Sequence, residues 1–489
     1  MEISKKEPGL LEALIPIIVL MGLLALNVIF FSDDSSYGPN QISLIMAAAV
    51  GGLIAVRLGY TWGEIQAGIV RSINAAMPAI LILLLIGALA GTWLLSGVVP
   101  LMVFYGLKIL TPNIFLFAAC IVCILVSLAT GSSWTTIATF GLAMLGIGRA
   151  LGLPDGVIAG AIISGAYFGD KVSPLSDTTN LAPAMVGTDL FTHIKYMLYT
   201  TIPSISISLI IFLVWGFSAD SSTNTEEVQA VINAIEGTFN LSPLLLLVPA
   251  MVIALIALKV PPAPTLLAGA LLGGVFALIF QPDLVRQVSE TEGSIWKVSY
   301  IGIVKTIFGE IAIETSHEKV NNLLNAKGMA GMMNTIWLVI CAMIFGGVME
   351  SAGLLARITK PIIEKAERAG SLVASTAGTC IFFNITAADQ YIAIVVPGRM
   401  YAEAYREKGY KPELLSRTLE DAGTVTSVLI PWNTCGAYQT GVLGVSAMAF
   451  APYCFFNIIS PFMSVFFAYA NIKIRKLVDG ASKEKVDQS

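Results

Sequence analysis

The chain has 489 residues, of which 56% are hydrophobic and only 12% charged, with a formal net charge of −4. Soluble domains carry about 25% charged residues, so this chain cannot clothe a water-facing surface, and lipid must be its main solvent. The small net charge offers no basic face, which excludes nucleic acid as a partner.

Apolar runs of the roughly 20 residues that a bilayer crossing needs recur from Leu10 to Ile472. Lys5 and Lys6 precede the first, 9–32. That run is too long for the core of a signal peptide and lacks a small-residue cleavage site, so it is expected to stay as the first membrane helix. Spans follow at 40–60, 76–100, 112–151 (interrupted), 155–188 (interrupted) and 190–218. A polar stretch, Asp220 to Asn240, then divides the chain. The second half has spans at 242–258, 261–281, 331–353, 371–405 (interrupted), 413–435 (interrupted) and 445–472. Residues 283–330 form a long amphipathic insert in which Glu310, Glu314 and Glu318 recur every four residues, the pattern of a solvated helix face. Cys120 and Cys123 form a CxxC inside an apolar run without a second pair, a setting for packed small residues and not for zinc or redox chemistry. His193 and His317 read as interfacial or loop residues. The glycine pairs Gly87/Gly91 and Gly269/Gly273 read as close helix packing. Nucleotide-binding glycine motifs are absent, which argues against an ATP-driven pump.

The second half repeats the first. A shift of 256 pairs Met77 with Met333, Gly91 with Gly347 and Gly97 with Gly353; later, a shift of 257 pairs Ile137 with Ile394, Gly141 with Gly398, Arg149 with Arg406, Gly152 with Gly409 and Pro174 with Pro431. Chance likeness between apolar segments would match Leu, Ile and Ala, whereas these matches are largely glycines, an arginine and a proline. Internal duplication is a common plan for secondary transporters. Two runs in each half are interrupted by polar residues, and open backbone at membrane depth is tolerated only inside protein or beside a water-filled cavity. Each half is therefore expected to hold one re-entrant hairpin and one unwound crossing helix, four broken elements converging on one site.

The expected fold is an all-α polytopic membrane protein built from two inverted-topology repeats, each of about five transmembrane helices. The repeats are assigned to 1–218 and 242–476, with an external linker at 219–241 and a cytoplasmic tail at 477–489. Lys and Arg placement supports cytoplasmic termini: Lys5, Lys6, Arg71 and Lys195 share a side with Arg357, Lys360, Lys365, Arg368, Arg406, Lys408, Lys411, Arg417, Lys473, Arg475 and Lys476. A count in which both limbs of each hairpin cross gives fourteen spans with the same end points, and is the second choice.

The densest polar cluster is Gly169-Asp170-Lys171-Val172-Ser173-Pro174-Leu175-Ser176-Asp177-Thr178-Thr179-Asn180. An ionised Asp at the bilayer centre costs about 2.5–3.5 kcal/mol on insertion scales, so two of them call for a functional reason. Pro174 disrupts the preceding helix, and Ser, Thr and Asn add the neutral oxygens that a small hard cation wants beside one or two carboxylates. Desolvation raises a carboxylate's pKa and a nearby cation lowers it again, which lets one site exchange a proton for Na+. A surface loop would carry the same residues, but its repeat mate around Pro431, Asn433 and Thr434 is also an interruption. Asp389 occupies the repeat position of Ser132 at the tip of the other hairpin, where Thr386-Ala-Ala-Asp389 also fits a capping box. Glu420 and Asp421 read equally as interfacial or functional. Glu350, in an apolar run, is a candidate proton carrier.

At the run from Gly169 to Ala182, and at Thr130-Gly131-Ser132-Ser133-Trp134 upstream, the chain resembles the NhaC family of bacterial Na+/H+ antiporters, over nearly its whole length except 283–330. The resemblance implies inverted repeats, re-entrant hairpins and an elevator-like motion, and the family also has members that exchange malate and protons for lactate and Na+. The leading expectation is Na+/H+ antiport at the bacterial inner membrane, with Asp170 and Asp177 as Na+ and proton ligands. Ser132, Ser133, Ser173, Ser176, Thr178, Asn180, Asp389, Asn433 and Thr434 would complete the site. The alternative is Na+-coupled exchange of small carboxylates, with Lys171 holding the anion or else forming an ion pair. An ion channel ranks below both, and an intramembrane hydrolase lower still, so no enzyme and no cofactor is expected. The expected partners are Na+, protons, the lipid bilayer and a second copy of the chain in a homodimer.

Overall fold

The computed structural model describes residues 5–31, 37–218, 225–258, 260–315, 321, 325–358 and 368–477. Among these, regular structure is helical except for one two-residue strand pair, β1 (Ile311–Ala312) antiparallel to β2 (Asn325–Ala326), and an isolated bridge between Tyr410 and Lys476.

Helices α1 (Leu10–Phe31), α2 (Pro39–Arg57) and α3 (Trp62–Leu95) lead to a shorter α4 (Val98–Ile109). α5 (Pro112–Thr130) turns back into α6 (Ser133–Thr136), which runs through a π turn, Ile137–Gly141, into α7 (Leu142–Ala150). α8 (Asp155–Val172) and α9 (Asp177–Val186) flank a break, and α10 (Leu190–Ser218) closes the first half. The second half has α11 (Thr225–Thr238), α12 (Leu247–Ala257), α13 (Pro262–Phe280), α14 (Pro282–Ser289), α15 (Ile295–Phe308), a single turn α16 (Gly328–Gly331) and α17 (Met333–Ser351). α18 (Ala369–Thr386) turns back into α19 (Gln390–Glu407); α20 (Pro412–Thr418) continues as a π turn, Leu419–Thr424. After a break come α21 (Thr434–Leu443), α22 (Ala447–Phe450) and α23 (Phe455–Tyr469).

Eight helices among the described residues are long and apolar enough to cross a bilayer, or up to ten if two bent pairs each count as one span. The chain is an all-α polytopic membrane protein. Two of the eight, α5 and α18, are the first limbs of the expected hairpins.

Several expected boundaries move. α3 starts at Trp62, ahead of the expected 76, because Thr61 and Glu64 close a capping box: the Glu64 carboxylate accepts the Thr61 N–H at 2.9 Å while Thr61 caps the Glu64 N–H. Much of the expected linker is the helix α11. Glu310 and Glu314 do not lie on a helix. α15 ends at Phe308 with Gly309 as its cap, and Ile311 and Ile313 are buried on either side of an exposed Ala312, the period of a strand. Glu318, His317, Lys360, Lys365 and the parts of the linker and tail at 219–224 and 478–489 lie outside the described residues. His193 is not interfacial. It is fully buried on α10, which packs against α20, and its Nδ1 lies 2.8 Å from Ser416 Oγ.

The glycine pairs do serve close packing. Gly269 and Gly273 let α13 lie on α3: a Cβ at Gly273 would stand 3.0 Å from Thr92 Oγ1, and Trp93 Nε1 donates to the Gly269 carbonyl at 3.2 Å. Cys120 and Cys123 are buried free thiols on the α5 face that meets α8.

Candidate functional site

The two chain reversals share one turn. After α5, Gly131 takes a left-handed φ of 66°, and Ser132 follows in extended backbone as the N-cap of α6, its Oγ accepting the Thr135 N–H at 3.2 Å. After α18, Ala388 takes φ 57°, and Asp389 follows in extended backbone as the N-cap of α19. Its Oδ1 accepts the Tyr391 N–H at 2.9 Å and the Ile392 N–H at 3.1 Å. A left-handed alanine costs roughly 1–2 kcal/mol, so the tip needs outside support. Thr434 N–H supplies it by donating to the Ala388 carbonyl at 2.8 Å.

The two breaks match in the same way. Ser173 N–H donates to Asp170 O at 3.1 Å and Ser176 N–H to Ser173 O at 3.2 Å; 257 positions on, Ile430 N–H donates to Ser427 O at 3.3 Å and Asn433 N–H to Ile430 O at 3.1 Å. Ser176 then caps α9 and Asn433 caps α21. Each hairpin is pinned to its neighbouring broken helix at equivalent places: Ser127 Oγ donates to Ala166 O at 2.6 Å, and Asn384 Nδ2 to Gly423 O at 2.7 Å.

These elements place Asp170 one turn before the first break, facing the tip of the first hairpin. It is 8% exposed, and its Oδ2 accepts both the Ser133 N–H at 3.0 Å and the Ser133 hydroxyl at 2.6 Å. Its Oδ1 is buried and meets no donor among the described residues. Ser173, Ser176 and Thr178 are buried along the break, with Ser173 Oγ donating to Leu128 O at 2.9 Å and the Ser176 and Thr178 hydroxyls 3.2 Å apart. Asp389, also buried, receives the Thr434 hydroxyl at 3.4 Å, and Asn433 Nδ2 donates to Asn384 O at 3.0 Å. The halves are tied across the site. The Tyr391 phenol of the second hairpin donates to Asp177, and Tyr438 stacks on Trp134 at 3.9 Å between ring centres while donating to the Trp134 carbonyl.

Three sequence candidates fall elsewhere. Asp177 does not share the buried space of Asp170; as the first residue of α9 it is exposed, and its Oδ1 accepts the Thr178 N–H. Asn180 is exposed and donates to the Pro174 and Ser176 carbonyls at 2.9 and 2.6 Å, bracing the break. Glu350 is exposed in the last turn of α17.

Lys171 forms an ion pair. Its ammonium donates to Asp421 Oδ1 and to Ser460 Oγ at 3.1 Å, while Asp421 Oδ2 accepts from Ser464 and, at 2.7 Å, from Thr200; lysine and aspartate are both fully buried. Sequence reasoning left Asp421 undecided and missed Tyr391. The signal available for Asp421 was an acidic pair inside an apolar run; a tyrosine at a helix start carries no such signal. Among the described residues no three His, Cys, Asp or Glu side chains gather as a metal cluster, so a cation here would rest on single carboxylates and neutral oxygens.

Residues 165–472 match the model of the Na+/H+ antiporter family. The chain is 38% identical to the Na+/H+ antiporter NhaC of Alkalihalophilus pseudofirmus, over 91% of this chain and 92% of that one. It is 34% identical to the malate-2H+/Na+-lactate antiporter of Bacillus subtilis, over 94% and 95% of the two chains. It is 35% identical to the arginine/ornithine antiporter ArcD of Halobacterium salinarum, over 96% and 94%.

Proposed function

Because the chain belongs to the Na+/H+ antiporter family, we propose that it is a secondary active transporter exchanging Na+ for protons by alternating access. The observation that carries this reading is Asp170, a buried carboxylate with one oxygen fully engaged by Ser133 and the other open. Such a group can hold a proton or a cation, and gains little from standing empty in a dry interior. Na+ would rest on Asp170 with hydroxyls drawn from Ser133, Ser173, Ser176 and Thr178. Asp177 would meet the ion nearer the surface. Asp389 with Asn433 and Thr434, and Ser132 at the opposite tip, would shape the second half of the site. The matched turns, caps and ties 257 positions apart support two repeats, which in this reading are inverted with respect to each other and move as an elevator against the remaining helices. In this reading the protein sits in a bacterial inner membrane with both termini in the cytoplasm, an orientation that the positive-inside pattern supports.

A second reading, Na+-coupled exchange of a small carboxylate, gains from one feature. Lys171 is already engaged by Asp421, but Arg417 is fully buried and none of its guanidinium nitrogens reaches an acceptor. Proteoliposomes under an imposed Na+ gradient, read for internal pH with and without malate or lactate, separate the two. Proton movement without an organic anion supports Na+/H+ exchange. Strict dependence on the anion supports the second reading, and no proton movement under any condition refutes both.

A further inference from the structure

Glu420 sits on the π turn Leu419–Thr424, fully buried, and neither of its carboxylate oxygens meets a donor among the described residues. π turns inside helices concentrate at functional sites. The charges acting on Glu420 are Lys171 and Asp170 from α8 and Asp421 beside it. Lys171 attracts the Glu420 carboxylate across space, but its hydrogen bonds go to Asp421 and Ser460. Of the elements packed on the turn, α18 and α23 contain no charged residue. α9 brings the exposed Asp177; α19 brings Asp389 at its cap and Arg399, Glu403, Arg406 and Glu407, all exposed. From α20 come Glu413, bound to Arg475, and Arg417, whose guanidinium lies 4.7 Å from the centre of the Tyr196 ring.

An ionised carboxylate without a donor is among the costliest groups a dry interior can hold. A bare sodium ion needs several oxygens around it, whereas no group among the described residues is hydrogen-bonded to Glu420. A proton needs only one oxygen. Once that proton leaves, the carboxylate requires a donor, and two unsatisfied ones stand a turn away along the chain on either side: the Thr424 hydroxyl and the Arg417 guanidinium.

Resting on the antiport reading above, we propose that Glu420 carries one of the transported protons, at a place separate from the Na+ ligands. Its carboxylate takes H+ from water open to one side, forming an O–H bond, crosses neutral, and breaks that bond to water on the other side. The unpaired Glu420 and Arg417 in this structure then correspond to the proton-loaded form.

The test is Glu420→Gln in proteoliposomes, read as the H+:Na+ ratio from the reversal point of exchange under opposed gradients, beside tracer Na+/Na+ counterflow. The expected result is a ratio lower by one proton, with a flattened pH profile and continuing counterflow. Glu420→Asp, which keeps the titrating group, should retain the wild-type ratio, and it stands in should the glutamine variant not fold. A wild-type ratio and pH profile in Glu420→Gln overturns the inference. So does loss of counterflow together with exchange in a folded protein, which would make Glu420 a structural or Na+-binding residue. Wild-type protein that moves no protons under a Na+ gradient overturns the antiport reading itself.

Discussion

Lys171→Met removes the ammonium from a fully buried pair. Asp421 keeps Thr200 at 2.7 Å, Ser460 at 3.2 Å and Ser464 as hydroxyl donors, so its charge stays partly solvated. Removing one partner of a buried ion pair costs about 3–5 kcal/mol, and with those hydroxyls in place the lower end, about 3 kcal/mol, is expected for this variant. Asp421→Leu is the harsher change. It leaves the lysine with Ser460 at 3.1 Å and the Phe456 ring at 5.5 Å, and should reach the upper end, about 5 kcal/mol. Replacing both by Met and Leu removes the charges together, a change that is often neutral or stabilising in buried pairs. The double variant should therefore lose less than about 3 kcal/mol, less than either single change, where simple addition of the two losses would give about 8 kcal/mol. The assay is thermal unfolding in detergent followed by tryptophan fluorescence for all four proteins, with transport measured in parallel. Single losses that simply add in the double variant, or a Lys171→Met protein as stable as wild type, would refute the pairing.

Asp170→Asn keeps the size and the Ser133 contacts but removes the titrating group, so Na+-driven internal pH change should vanish while the protein still inserts and unfolds at the wild-type temperature. Asp389→Ala deletes the cap on the Tyr391 and Ile392 amides, costing about 1 kcal/mol, and should appear as weaker Na+ affinity with part of the rate retained. Wild-type Na+ affinity in that variant would remove Asp389 from the site. Cysteine labelling in intact cells should modify Glu292→Cys from outside and leave Lys408→Cys unlabelled until the cells are opened; the reverse pattern would invert the topology.

The breaks were legible because lipid forbids what they contain. Pro174 and Pro431, each set among Ser, Thr or Asn in an apolar run, mark places where a helix must open. The first tip was visible through Gly131, whose left-handed turn suits glycine, but Ala388 makes the same turn with no sequence signal and depends on a hydrogen bond from Thr434, 46 positions on. The start of α3 was missed because Glu64, Gln66, Arg71 and Asn74 depress its hydropathy, although Ile65, Gly68, Ser72 and Ala76 line one buried face at helical spacing. Lys171 shows the limit of local reasoning. Its partner lies 250 positions away, and only the packing of α8 against the second broken helix decides between an anion site and an ion pair.

The buried charges can be ordered by what holds them, and that order bears on which of them exchange ions. Lys171 and Asp421 saturate each other with three hydroxyls in attendance, so moving either would strand the other; their pair is a fixed tie between the halves. Asp389 accepts two backbone amides and the Thr434 hydroxyl, donors that do not leave. Asp170 is satisfied on one oxygen only, and Glu420 on none. A mobile cation competes poorly with donors built into the backbone but well against an empty lone pair, so the exchanging groups should be the two least satisfied. On the proposed exchange, the hydroxyls along the break beside Asp170 would hold Na+, and Glu420, to which none bonds, would take a proton. Arg417 then has a use that a purely structural account lacks. It is the one buried guanidinium among the described residues with no acceptor, three positions from the one buried carboxylate with no donor, and pairing the two is what would let Glu420 cross without its proton while Na+ occupies Asp170.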